Sequence, residues 1–172
     1  RITRTGAAVA VTAILAALLV GVGPTLSREA EVRYTFVANA ADGTVSAIDL
    51  TTEQVVWTLR IGEQAAHGIA ASPDGAVVYA GDSSASEVVV IDAARREIIQ
   101  RIPLASTVHG IDLAPDGKTL WVGGELGDDP IKGTLTVINT ASNAIEAVIS
   151  PGLGSASHLA FTPDSKEIWV AS

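Results

Sequence analysis

The sequence predicts an all-β fold built from repeated sheets of short antiparallel strands. Two observations carry this prediction: short apolar runs alternate with turn motifs, and the same order of runs and turns recurs along most of the chain. Each run has about five residues, which is the usual length of a strand and too short for a stable helix. A third observation, an uncharged stretch at residues 6–23, predicts a hydrophobic helix before the sheets.

The central unit, residues 67–102, shows the plan of the repeat. Its apolar runs cover residues 68–72, 76–80, 87–91 and 98–102. The first turn is Pro73-Asp74-Gly75, in which proline fixes its own φ and glycine accepts a positive φ, so the chain reverses there. The third run is apolar at consecutive positions, which is typical of a strand covered on both faces. This sheet is therefore expected to lie between two neighbouring sheets.

The unit recurs with a period in the forties. The Pro-Asp pairs at Pro73, Pro115 and Pro163 are separated by 42 and then 48 residues, and a loop inserted at residues 125–133 explains the longer spacing. Four strands per repeat at this period are typical of a propeller blade rather than of a helical solenoid. The predicted architecture is a partial β-propeller of about three four-stranded antiparallel blades, preceded by the N-terminal hydrophobic helix.

The second strands of the repeats carry an aromatic motif. They read Tyr34-Thr35-Phe36-Val37-Ala38-Asn39, Tyr79-Ala80-Gly81-Asp82, Trp121-Val122-Gly123-Gly124 and Trp169-Val170-Ala171-Ser172. With the Pro-Asp turns before them, these strands resemble the YVTN-type β-propeller repeat over about residues 34–172. The resemblance implies the fold. It leaves the function open, because the superfamily includes binding and surface-layer-like proteins, haem-d1 nitrite reductases and quinoprotein amine dehydrogenase subunits.

The repeats do not add up to whole blades. Residues 34–61 supply the second, third and fourth strands of a first unit, and the last unit stops within its second strand at Ser172. Closed propellers contain at least four blades, and an open arc leaves apolar blade faces bare. We therefore expect the chain to be a fragment of a longer protein, with closure by a second copy or a partner chain as the alternative.

The N-terminal segment, residues 1–26, is expected to direct export. Arg1 and Arg4 precede the uncharged stretch, and a positive flank before an apolar core is the pattern of a cleaved signal peptide or a retained membrane anchor. The length lies between the two classes, so both stay open, with membrane contact if the segment is uncleaved. Residues 27–33 form a polar linker before the blades at 34–172. In either case we expect the blades outside the cytoplasm, in the periplasm or at the cell surface.

Composition excludes several functional classes. The formal charge is −8, from 11 basic and 19 acidic residues, whereas a nucleic-acid surface needs a basic footprint, so no nucleic-acid partner is expected. The chain has no cysteine, which excludes disulfides, thiol catalysis and c-type haem attachment within these residues. No motif in the sequence names a reaction.

Two histidines occupy matching places at the start of a first strand. His67 and His109 lie six residues before the proline of the following turn, whereas His158 lies five residues before Pro163, so that Ser157 takes the matching place. First strands line the axial channel of a propeller, where imidazole could bind a metal, a haem or an anionic ligand. The candidate channel-lining residues are therefore His67, His109, Ser157 and His158. The simpler interpretation is that each bonds the backbone of a neighbouring blade.

The inserted loop contains three carboxylates, Glu125, Asp128 and Asp129, whose oxygens could hold a hard cation such as Ca²⁺. The loop lacks the alternating acidic spacing of a dedicated calcium site, so a solvated loop is the simpler interpretation. Side chains that recur in every blade are expected to accept hydrogen bonds from turn amides instead. They are Asp49, Asp92 and Asn139 after the third strands, and Asp74, Asp116 and Asp164 in the Pro-Asp turns.

Three functions stay open from the sequence. The favoured hypothesis is a non-catalytic exported binding or scaffold module that presents its channel mouth and loops to a protein or small-molecule ligand. The alternative is the propeller of a haem-d1-like or quinoprotein-dehydrogenase-like redox protein, in which His67 and His109 line a haem or metal pocket. The third is a cell-surface array protein that assembles with copies of itself.

Overall fold

A computed structural model describes residues 33–126, 133–152 and 154–172 of the 172-residue chain. These residues form thirteen β-strands and a single 3-10 turn, and all of the strand pairs are antiparallel. The strands make four sheets, and the predicted all-β partial propeller is confirmed. The predicted N-terminal hydrophobic helix lies outside the described residues. Within them, no helix has the length and apolar character that a membrane span requires.

The four sheets are blades 1 to 4. Blade 1 contains β1 (Tyr34–Asn39), β2 (Thr44–Asp49) and β3 (Gln54–Arg60), with the 3-10 turn Ala40–Asp42 after β1. Blade 2 contains β4 (Ala65–Ala71), β5 (Val77–Asp82), β6 (Glu87–Asp92) and β7 (Glu97–Pro103). Blade 3 contains β8 (Ile111–Leu113), β9 (Thr119–Glu125), β10 (Gly133–Asn139) and β11 (Ala144–Ile149). Blade 4 contains β12 (His158–Phe161) and β13 (Ile168–Ala171).

The third strand of blade 2 is buried on both faces, as its apolar run predicted. Its side chains Val88, Val89, Val90 and Ile91 are all 0% exposed. Val89 and Ile91 belong to the core shared with blade 1, whereas Val88 and Val90 belong to the core shared with blade 3. This division follows because successive side chains of a strand point to opposite faces of the sheet. Blade 2 is thus packed between its two neighbours, as a propeller blade should be.

Glycines allow the inner strands to approach each other closely. A Cβ on Gly68 would lie 2.1 Å from the backbone nitrogen of Ile111, and one on Gly110 would lie 2.3 Å from the carbonyl oxygen of Ser157. The backbone N–H of Gly68 donates a hydrogen bond of 3.0 Å to the carbonyl oxygen of His109. The inner strands β4, β8 and β12 therefore lie side by side, and they start at the same end of the blades.

The recurring turn residues hold the turns, as predicted. After the third strands, a side-chain oxygen accepts backbone N–H groups two or three residues later; this is seen for Asp49, Asp92 and Asn139. In the Pro-Asp turns, the Oδ1 atom accepts the N–H two residues later; this is seen for Asp74, Asp116 and Asp164. These side chains satisfy backbone donors that no strand partner can reach.

The aromatic residues of the second strands differ in burial from blade to blade. Tyr79 is 3% exposed in the core between blades 2 and 3, and Trp121 packs edge-to-face on Phe161 of blade 4 with ring centroids 5.9 Å apart. Trp169, at the same strand position, is 69% exposed. In blade 1 the strand pairing places Phe36 at this position rather than Tyr34, because Phe36 pairs with Ala47 as Tyr79 pairs with Val90.

Candidate functional site

Three histidine rings from adjacent blades form a row at the starts of the inner strands. The ring centroids of His67 and His109 are 5.3 Å apart, and those of His109 and His158 are 5.6 Å apart. The side chains of His67 and His158 are exposed, whereas His109 is partly buried between them. All three histidines of the chain therefore lie in one place, although they are separated by more than forty residues along the sequence.

The central histidine has a defined tautomer when it is neutral. The Nδ1 atom of His109 lies 3.1 Å from the carbonyl oxygen of Ser157. Because a carbonyl oxygen can only accept, Nδ1 carries the hydrogen and donates it, and the lone pair resides on Nε2. Metal-bound histidines are commonly oriented by this kind of bond from the other ring nitrogen to a backbone carbonyl. This bond leaves the lone pair of His109 on Nε2, the atom that would coordinate a metal ion.

The strand pairing agrees with the sequence count for Ser157 and His158. Ala70 pairs with Tyr79, and Ala160 pairs with Trp169 at the equivalent position, so Ser157 corresponds to His67 and His158 corresponds to Gly68. The His158 ring nevertheless reaches the ring of His109. Ser157 contributes its carbonyl oxygen to His109, while its hydroxyl group bonds that of Ser155 at 2.7 Å. Blade 4 thus has a serine at the position that His67 and His109 occupy in blades 2 and 3, and its histidine follows one residue later. The His158 ring still joins the row, while Ser157 bonds His109 through its backbone.

A cleft of about 370 Å³ opens beside the first two histidines. It is lined by small and apolar side chains together with a few polar ones: Ala40, Ala41, Gln64, Ala65, Ala66, His67, Ser83, Val108 and His109. Its volume lies at the lower end of the range of about 300–1,000 Å³ that is usual for small-molecule sites. A mostly apolar lining with two imidazole groups suits a small, largely apolar molecule that has one group able to contact an imidazole nitrogen.

The inserted loop begins at the histidine end of blade 3. The backbone N–H of Thr107 donates to the carbonyl oxygen of Glu125 at 2.9 Å, and the N–H of Glu125 donates to Thr107 Oγ1 at 3.0 Å. Thr107 is two residues before His109, so the loop leaves the blade beside the row. The other proposed cation ligands, Asp128 and Asp129, lie outside the described residues. In the part of the chain that the structure describes, no three His, Cys, Asp or Glu residues are grouped as a metal site.

One polar residue of the inner strands was not predicted from the sequence. Asp112 accepts the backbone N–H of Phe161 in blade 4 at 2.8 Å through Oδ2, and that of Leu113 at 3.0 Å through Oδ1. It therefore links the inner strand of blade 3 to that of blade 4, three residues along the strand from His109. The sequence does mark this residue. Alignment of the repeats places the charged Asp112 where the other two inner strands have alanine, at Ala70 and Ala160.

Comparison with known proteins supports a redox-protein propeller. The fold is similar to hydrazine synthase from Kuenenia stuttgartiensis, with a TM-score of 0.72 and 25% identity over 80% of this chain. This chain spans 38% of that protein's chain. No curated protein matches the sequence. Residues 11–112, more than half of the 172 residues, match the family described as cytochrome D1 heme domain. The chain therefore belongs to the cytochrome D1 heme domain family.

Proposed function

We propose that the chain is the haem-binding propeller part of an exported redox protein. The observation that carries the proposal is the histidine row, in which Nδ1 of His109 bonds a backbone carbonyl and Nε2 has no hydrogen-bond partner among the described residues. Membership of the cytochrome D1 heme domain family supports a haem as the group that meets this row. The reaction of hydrazine synthase is not carried over, because this chain spans 38% of that protein's chain.

The cleft residues fit such a group in two respects. Ala40 and Ala41, which are not buried, offer apolar surface to a macrocycle, and the Nε2 atom of His109 offers a ligand to iron. Among the described residues that line the cleft there is no Arg or Lys, so the carboxylates of a haem would face solvent or another part of the protein. A bound haem would supply electron transfer or ligand binding at its iron. The chain supplies orientation, apolar contact and the imidazole of His109.

The binding or scaffold hypothesis gains no support from the comparisons, which favour the redox alternative. The YVTN-type assignment of the repeat is likewise a proposal, supported by the aromatic second strands and Pro-Asp turns. Location outside the cytoplasm is supported by the arginines and the apolar stretch at residues 1–23, whose structure lies outside the described residues. Recovery of the protein with the cytoplasmic fraction after cell lysis would contradict that location.

The haem proposal is tested by titrating the purified chain with haem d1, with haem b for comparison, while the absorption spectrum is recorded. We expect saturable binding and a spectrum typical of imidazole ligation. Replacement of the central ligand, His109→Ala, should lower the affinity by at least about tenfold, which corresponds to about 1.4 kcal/mol. Lys166→Ala serves as the control, because that side chain is 79% exposed at the opposite end of the blades. An unchanged spectrum in His109→Ala would refute the proposal.

A further inference from the structure

A second groove lies between blades 1 and 2 at the end of the blades opposite the histidines. Its volume is about 320 Å³. It is bordered by the first and third turns of blade 2 and by two aromatic rings of blade 1, Tyr34 and Trp57. None of its lining residues belongs to the histidine cleft. Because the blades are repeats, each residue of this groove can be compared with the equivalent residue of another blade.

The carboxylate of Asp74 lacks the ion pair that its equivalents have. Lys118 Nζ lies 3.6 Å from Asp116, and Lys166 Nζ lies 3.4 Å from Asp164, in each case from the second residue after the aspartate. In blade 2 that residue is Ala76. The hydroxyl group of Ser72 and the N–H of Ala76 both donate to Oδ1 of Asp74, so Oδ2 has no hydrogen-bond or ion-pair partner among the described residues. The Ser72 hydroxyl holds the pKa of Asp74 below its usual value, so the group is ionised at neutral pH.

Arg96 also departs from the repeat. The equivalent residue of blade 3, Asn143, has a similar backbone conformation, with φ of 54° against 61° for Arg96. Asn143 Nδ2 donates a hydrogen bond of 3.0 Å to Gln100 Oε1, which links blades 3 and 2 at the equivalent place. In blade 1 the position of Gln100 is taken by Trp57. Among the described residues, the Arg96 side chain forms no ion pair or hydrogen bond.

The residues that differ from their equivalents in other blades all line this one groove: Trp57, Ala76 and Arg96, together with Asp74. It contains a carboxylate oxygen and a guanidinium group that have no partner among the described residues and do not pair with each other. The rings of Tyr34 and Trp57 also line the groove, and each packs against Phe36, with ring centroids 6.4 and 5.8 Å from that of Phe36. A guanidinium group binds a carboxylate through two parallel hydrogen bonds, and a carboxylate binds an ammonium group. Aromatic faces favour apolar groups and cations. The arrangement is thus complementary to a molecule with both charges and an apolar body.

We infer that this groove binds a free α-amino acid with an apolar or aromatic side chain. Arg96 holds the carboxylate of the ligand, Asp74 holds its ammonium group, and its side chain lies against Tyr34 and Trp57. The groove volume of about 320 Å³ suits a molecule of this size. Binding here is independent of a haem at the histidine row, because the two sites share no residue.

The inference is tested by calorimetric titration of the full chain with L-phenylalanine and L-leucine. We expect a dissociation constant of about 1 mM or below for at least one of them. Two analogues that each lack one charge, 3-phenylpropionate and phenethylamine, should bind at least about tenfold more weakly than L-phenylalanine. No binding of either amino acid at about 10 mM, or equal binding of 3-phenylpropionate, overturns the inference.

Two substitutions copy the other blades into this groove and so carry little risk to folding. Arg96→Asn introduces the residue of blade 3, and Ala76→Lys introduces the lysine that pairs with the aspartate in blades 3 and 4. Each should weaken binding at least about tenfold. Arg95→Asn is the matched control, because Arg95 pairs with Asp92 and Glu97 and does not line the groove. Equal affinity in Arg96→Asn and Arg95→Asn contradicts the inference.

Discussion

At the residue scale, the orientation of His109 depends on a residue that has no side chain. The Ser157 carbonyl oxygen accepts the Nδ1 hydrogen of His109, and the same oxygen lies 2.3 Å from the place where a Cβ on Gly110 would be. Real Cβ atoms do not approach oxygen so closely, so any side chain at residue 110 must displace blade 4 or its own strand. The glycine therefore fixes both the blade spacing and the position of the imidazole.

Gly110→Ala tests this coupling. We expect it to destabilise the protein by about 1–3 kcal/mol, the usual cost of overpacking, and to release His109 from its Nδ1-protonated tautomer. Urea unfolding measures the first effect and ¹⁵N NMR of the imidazole measures the second. Gly75→Ala is the control, because that residue has φ of 70° but nothing within 4 Å of a Cβ. It should also cost about 1 kcal/mol, yet leave the tautomer unchanged.

The Ser72–Asp74 bond gives a prediction for acid pH. The Ser72 hydroxyl is the main cause of the lowered pKa of Asp74, whose ordinary value is 3.8. A lowered folded-state pKa contributes stability above the unfolded-state value, and this stability is lost as the pH falls through the folded-state value. Ser72→Ala should therefore raise the pKa of Asp74 and reduce the loss of stability below about pH 3.8. A ¹³C carboxyl titration that shows no change in Asp74 contradicts this.

Residue-level details were predictable where a side chain acts on its own turn. Asp92 accepts the N–H of Arg95 three residues later, and short-range bonds of this kind follow from sequence spacing. The contact of the His158 ring with His109 was not predictable, since it depends on how two blades meet. The missing ion pair of Asp74 could be predicted from the sequence, because residue 76 is alanine where blades 3 and 4 have lysine. The groove beside Asp74 could not be predicted, because it is formed by the packing of blade 1 on blade 2.

At the scale of elements, a third strand stabilises two interfaces at once. Four consecutive apolar residues in β6 predicted burial on both faces, and the structure distributes them between the cores shared with blades 1 and 3. The fourth strands lie at the outer edge of their blades and bury their apolar residues unequally: Ile102 of β7 is 5% exposed, whereas Val148 of β11 is 52% exposed. Hydrophobicity of a strand therefore predicts its presence, whereas the burial of its side chains depends on its place in the blade and on the blade beside it.

This difference predicts unequal costs for the same substitution. Val89→Ala in β6 removes two buried methyl groups and leaves a cavity, so it should destabilise the protein by about 2 kcal/mol. Val148→Ala in β11 should change the stability by less than about 0.5 kcal/mol, because the side chain is half exposed. Urea unfolding of both variants checks the pair, and equal costs would contradict the assignment of β6 to the centre of the packing.

At the scale of the whole molecule, the cores of the described blades are shared between adjacent blades, so stability is expected to vary along the chain. Blade 2 shares a core with blade 1 and another with blade 3. Blade 4 contributes two strands to the described structure, and its Trp169 is 69% exposed where the equivalent Tyr79 is 3% exposed. The repeat period and strand count were predictable because they are properties of each unit. The burial of each copy was not, because it depends on which neighbours are present.

Native-state hydrogen exchange measures how local stability differs between equivalent strands, here β5 and β13, the second strands of blades 2 and 4. The amides of β5 lie in a strand that pairs on both sides, whereas those of β13 lie in a strand that pairs with β12 among the described residues. Local opening of a two-stranded sheet exposes little buried apolar surface, so in the isolated 172-residue chain β13 should exchange through openings that cost less free energy than those of β5. Low urea concentrations should leave the exchange of β13 nearly unchanged, since local openings expose little surface, and should accelerate that of β5. Equal protection of the two strands would show that blade 4 is as firmly held as blade 2, and the nearest-neighbour account of this molecule would then be wrong.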